Sequence, residues 1–179
     1  MADLPKPGYL VVEIREEGAC VGGLMVTDEN GLPLDFRFTD PITPTRLQRA
    51  LYGGALERYL RADVVAGTLL SSIEAKPTVI FVDEDDLLRL PDAPCPVASV
   101  DTTQLPPIGP VGTSKGERGT HALLQINDHG APVRVKVADE ASIGPVSDAL
   151  VALGGFMDVS EPADRVRDAL NLIASGELS

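Results

Sequence analysis

Tryptophan is absent from this chain of 179 residues, aromatic residues make up only 4% of it, and there are just two cysteines and two histidines. Each shortage excludes something. Without large rings the core must be filled by Val, Leu, Ala and Ile, and the stacking platform used by sequence-tolerant single-strand binders is not expected. The cysteines, Cys20 in "GACVGG" and Cys95 in "APCPVAS", have neither a CxxC spacing nor a histidine cluster beside them. That argues against a zinc site and for buried free thiols in a reducing compartment. Basic residues are also few, with 15 Lys and Arg against 27 Asp and Glu, for a formal charge of -12. Such a field repels phosphate backbones and anionic lipid, so nucleic acid is not the expected partner. No apolar run approaches the length of a membrane span, and "MADLPKPGYL" lacks a basic segment followed by an apolar one. A soluble, cytoplasmic protein with no membrane partner is expected.

Hydrophobic residues make up 44% of the chain, enough for a substantial core. In "YLVVEIR" (9–15), Leu10, Val12 and Ile14 alternate as in a strand. After the turn "EEGA", "CVGGLMVT" (20–27) reads as a second strand, and "DENG" (28–31) leads into a third, "PLDFRFT" (33–39), on an edge or beginning at Pro33. A three-stranded antiparallel meander is predicted. From Thr43 and Pro44 onward the period changes, and Ala55, Tyr59, Ala62, Ala66, Leu69 and Ile73 recur at helical spacing. The pair Gly53-Gly54 should kink this long helix or break it into two.

The run "TVIFV" after Pro77 lacks alternation, as in a strand covered on both faces. A short helix over 84–90 and a strand "PVASV" (96–100) complete a right-handed parallel crossover. The stretch 101–119 holds three Pro and four Gly and reads as a linker or long loop. Beyond it, "HALLQIN" and "PVRVKVA" form a hairpin. Two helices follow, one over 145–153, stopped by Gly154-Gly155, and one near 162–174 with Ala163, Val166, Leu170 and Ile173 inward. The fold class is therefore mixed α/β: a βββαβαβ core over 1–100, the linker, and a ββαα appendage over 120–179, either separate or packed on the same core.

Chemistry concentrates in "VDEDD" (82–86), where an apolar strand stops on four acids. One reading makes Asp83 the cap of the following helix, with Glu84, Asp85 and Asp86 in its first turn beside the positive end of the dipole. The other makes Asp83, Asp85 and Asp86, together with Glu13 from the first strand, oxygen ligands for a hard divalent cation. Glu13 shares a strand face with Val11 and Arg15, so a glutamate that is solvated or paired with that arginine is the simpler reading. Between residues 44 and 76, Arg46, Arg49, Arg58 and Arg61 face only three acids. This local reversal of charge suits an acidic partner or a phosphate. "GPVGTSKG" lacks the spacing of a phosphate loop.

The order of elements over residues 9–100 resembles the ribonuclease-H-like superfamily, and the run from "DPITPTRLQRALYG" to "KPTVIFVD" is similar in layout to endonuclease V. That resemblance implies magnesium or manganese held by a carboxylate on the first strand and another at the end of the fourth, here Glu13 and Asp83, activating water for phosphodiester cleavage. The chain departs from the family pattern at several positions. Glu13 stands where Asp is usual, Glu84 follows Asp83 in place of Gly, the downstream His is missing, and Asp40-Pro41 falls where a Tyr-Pro wedge would be. With these departures and the acidic field, the leading expectation is a non-catalytic domain that needs no cofactor. It would bind a protein partner through Arg46, Arg49, Arg58, Arg61 and the 101–119 loop. Two alternatives stand beside it: a magnesium- or manganese-dependent nuclease acting on structured or damaged nucleic acid, and a small-ligand sensor at the strand ends near Asp83 and Asp101.

Overall fold

A computed structural model describes residues 3–178. The predicted meander is present as β1 (Pro7–Ile14), β2 (Cys20–Thr27) and β3 (Pro33–Phe38). Next to β1 lies β4 (Val79–Val82), and next to that β5 (Val97–Thr102), both pairings parallel. The later strands are β6 (Ser114–Arg118), β7 (His121–Leu124) and β8 (Val133–Val137), and β8 joins β5 antiparallel. One eight-stranded mixed sheet results, ordered β3-β2-β1-β4-β5-β8-β7-β6. The mixed α/β class is thus as the sequence predicts. β6 lies inside the stretch that reads as a linker. All five of its residues are exposed, so no alternation marks it, and its charges suit a sheet edge.

Helices cover both faces. On one lie α1 (Arg46–Tyr52), α2 (Leu56–Arg58), a π-helical stretch Tyr59–Ala66 and α3 (Gly67–Ser72); on the other lie α4 (Ile143–Gly154) and α5 (Glu161–Ser175). The first helix starts at Thr45, not Thr43: the Thr45 hydroxyl accepts from the Gln48 amide, and the Gln48 side chain accepts from the Thr45 amide. The expected interruption comes at Gly53, whose φ of 51° favours glycine. The buried stripe beyond it is Leu56, Leu60, Ala62, Val65, Ala66 and Leu69, while Ala55 is exposed and Tyr59 half-buried. The expected helix over 84–90 shrinks to a single 3-10 turn, Asp85–Leu87, with no side-chain cap, and Asp83 caps nothing.

Strand alternation divides the core between the faces. Tyr9, Val11, Phe81 and Val135 pack with Leu150 and Val166 under α4 and α5, whereas Leu10, Val12, Ile80 and Val82 pack with Leu60, Val65 and Leu69. Adjacent glycines on β2 bring both layers close. A Cβ at Gly22 would collide with the Val65 side chain on one face, and one at Gly23 would stand 2.9 Å from Val166 on the other. Cys20 is buried and Cys95 half-buried, and burial pushes each thiol up to about 11, so neither is a nucleophile at neutral pH. Among the described residues no helix is long and apolar enough to cross a membrane.

Candidate functional site

The parallel strands β1, β4 and β5 all end at one edge of the fold, the usual position for a site in such sheets. Leu10 lies opposite Val82, and the period of two puts Glu13 and Asp83 on the α5 side, in line with Tyr9, Val11 and Phe81. Both carboxylates line one cavity of about 590 Å³, which Glu57, Arg61, Glu84 and Arg167 also line.

Each of the two is held by a guanidinium. Arg15 donates from Nη2 to Glu13 Oε2 at 2.9 Å and to Asn171 Oδ1, on α5, at 3.0 Å. Arg167, also on α5, donates to Asp83 Oδ2 at 2.8 Å and to Asp164 Oδ1 at 2.6 Å. Burial pulls the Arg167 guanidinium down, but its hydrogen bond to Asp83 and the Asp83 and Asp164 charges outweigh that and raise it above its ordinary value. The side chains of Glu13 and Asp83 remain 28% and 23% exposed, and among the described residues neither Glu13 Oε1 nor Asp83 Oδ1 accepts a hydrogen bond. Each therefore keeps one oxygen open to the cavity.

The other acids of "VDEDD" go elsewhere. Asp85 reaches Lys136 at 3.4 Å, and Asp86 faces Arg61 at 3.5 Å. Among the described residues no group of three or more His, Cys, Asp or Glu forms a metal cage. The donor chemistry still fits magnesium or manganese, since such an ion is commonly held by one or two carboxylates and keeps several of its waters.

Arg61 departs from the surface role expected of it. It is 6% exposed, lies 3.7 Å from Glu57 and 3.8 Å from Glu84, and its Nε and Nη2 have no hydrogen-bond partner. From Arg58 to Arg61 a helix turns to within roughly 60° of a full revolution. That offset, with the π-helical widening that begins at Tyr59, swings Arg61 toward the sheet and leaves Arg46, Arg49 and Arg58 outside.

A second cavity of about 350 Å³ shares Asp83 and Arg167 and extends to Asp101 and Ser160, under the Tyr9 hydroxyl. That hydroxyl is buried without a partner, and burial raises its pKa, so it stays protonated. Sequence reasoning missed Arg167 and Asn171. Nothing local ties them to the site, and the Asp83 contact spans 84 residues of chain.

No family model and no curated protein matches the chain. Solved structures do. Endonuclease V from Streptomyces avermitilis superposes with a TM-score of 0.62 at 15% identity, over 98% of this chain and 84% of that one. Endonuclease V from Bacillus subtilis gives 0.63 at 12%, over 97% and 82%. Endonuclease V from Ciona intestinalis, in complex with DNA containing an inosine, gives 0.53 at 12%, over 95% and 87%. The fold is endonuclease V-like. This finding overturns the expectation of a non-catalytic protein-interaction scaffold, because the solved chains that share this architecture, over 82–87% of their own length, are endonucleases.

Proposed function

We propose that this chain is a magnesium- or manganese-dependent nuclease of ribonuclease-H-like layout, acting on structured or damaged nucleic acid. The observation that carries the reading is the convergence of Glu13 and Asp83, from adjacent parallel strands, on one cavity with a free oxygen each. These two residues would hold the ion. When bound, the ion supplies a water made acidic enough to attack a phosphodiester. The chain's own part is to fix the carboxylates through Arg15 and Arg167 and to leave room beside them for a phosphate. Nucleic acid replaces a protein as the partner, reached through a local site against the overall charge. Thiols kept protonated by burial suit a reducing cytoplasm, and we assign the protein there.

The test is thermal unfolding with manganese, beside cleavage of an oligonucleotide carrying inosine, the base in the DNA of the Ciona complex. Manganese at one hundred times its dissociation constant should add about 2.7 kcal/mol of stability. Glu13→Gln and Asp83→Asn should abolish both that gain and the cleavage. Cleavage that survives Asp83→Asn would refute the assignment, as would a chain that neither binds manganese nor cuts.

A further inference from the structure

The face opposite α5 holds chemistry with no role so far. None of the residues of α1 is buried, and Leu47 and Leu51 are 67% and 72% exposed. A helix of this length does not hold itself in water. Its capping box and the chain on either side keep it, rather than an apolar face. Where it ends, at Gly53, Tyr52 and Tyr59 stack with ring centroids 4.6 Å apart and planes 24° from parallel. The low aromatic content argued against any stacking platform, yet two of the three tyrosines in the chain stand here, Tyr52 exposed and Tyr59 half-buried with one side against the helical core.

Charge singles out the same place. Arg46, Arg49 and Arg58 make no ion pair among the described residues, and Arg49 donates only to the Glu17 carbonyl, at 2.8 Å. Glu57 is the one acid between residues 44 and 60. A cavity of about 240 Å³ bordered by Arg49, Gly53 and Gly54 shares Ile14 and Glu57 with the carboxylate cavity. The two cavities therefore adjoin at Ile14 and Glu57, with Arg49 bordering one and Glu13 and Asp83 the other.

We infer that this face seats a single-stranded stretch of nucleic acid, with its phosphates over Arg46, Arg49 and Arg58 and an unpaired base on the Tyr52–Tyr59 pair. Guanidinium groups match phosphate geometry, and exposed rings accept any base whose face is free. A duplex hides those faces and would gain from the charge alone. An acidic protein could also use the arginines, but only a strand gains from the path to the carboxylates. The inference rests on the nuclease reading for what lies in the carboxylate cavity.

The experiment is fluorescence anisotropy of a labelled single-stranded oligonucleotide with the full chain, at low salt and in EDTA. The wild type should bind, and Tyr52→Ala with Tyr59→Ala should weaken binding about tenfold or more. Tyr52→Leu with Tyr59→Leu, which keeps apolar bulk without rings, should weaken it similarly. Arg46→Glu with Arg58→Glu should weaken it and flatten its dependence on salt. A duplex of the same sequence should bind several-fold less tightly, and melting curves should show each variant folded. The inference falls if the single strand does not bind, if the tyrosine variants bind like wild type, or if the duplex binds equally well. It falls also if the arginine variant loses only an acidic protein. Because EDTA removes metal, strand binding without later manganese-dependent cleavage keeps this surface and sinks the nuclease. Cleavage indifferent to the tyrosine changes does the opposite.

Discussion

The two helical layers of this protein are built in opposite ways. Under the sheet, α4 and α5 are continuous helices of 12 and 15 residues with clean apolar stripes, and α5 closes on a left-handed Gly176. Above it, the chain from Arg46 to Ser72 breaks into short pieces, includes a π-helical stretch, buries a charged Arg61 and leaves Leu47 and Leu51 in water. Both layers grip β1 and β2, the lower one through α5, so the contrast is not one of stability against disorder. The regular layer fixes the carboxylates from behind, and the irregular layer supplies arginines without ion pairs among the described residues and the exposed ring of Tyr52. Irregular backbone of this kind often gathers at working surfaces.

That division of labour can be broken at graded cost. Leu150→Ala, at a fully buried position of α4, should destabilise by about 2–5 kcal/mol in denaturant unfolding. A smaller loss would mean that the regular layer is not the anchor. Gly22→Ala forces a methyl group into Val65 and should cost about 1–3 kcal/mol. At Gly54, where an added Cβ meets nothing within 4 Å, the same change should be neutral or stabilising, by up to about 1 kcal/mol. Arg167→Ala frees Asp83 from the guanidinium that orients it and should weaken manganese binding about tenfold, which calorimetric titration would read. Unchanged or tighter binding would show that Arg167 does not position the carboxylate for the ion. The least effect is expected from Leu51→Ala, within about 0.5 kcal/mol, since that side chain is already in water. A large loss there would mean that α1 is anchored after all.

The fold was largely legible because the strands alternate or run apolar and the final helices carry full stripes. Val133, Val135 and Val137 announced β8, and Gly154-Gly155 announced the end of α4. The failures share a physical cause, namely that the deciding contact was distant or absent. β6 pairs at an edge and buries nothing, so no pattern could mark it. "EDDLLRL" has the composition of a helix start, but only Leu87 and Leu90 find the core, and one turn is all that forms. Within the site, Glu13 and its pairing with Arg15 were readable two residues apart, whereas the partner of Asp83 lay on the last helix. Arg61 was grouped with the surface arginines because spacing alone does not register a π-helical shift.

The placement of α5 has a consequence for how the protein is made. Synthesis makes β1 and β2 well before α5, yet α5 packs on both of them. Arg167 and Asn171 reach the candidate site only after the strands that carry its acids, and everything between them and α5, have been made. Until then Asp83 lacks its guanidinium, and the Glu13–Arg15 pair lacks its tie to the helix. The site is therefore assembled from elements that lie far apart along the chain, and a protein truncated before α5 would keep its acids without the geometry that gives them a use.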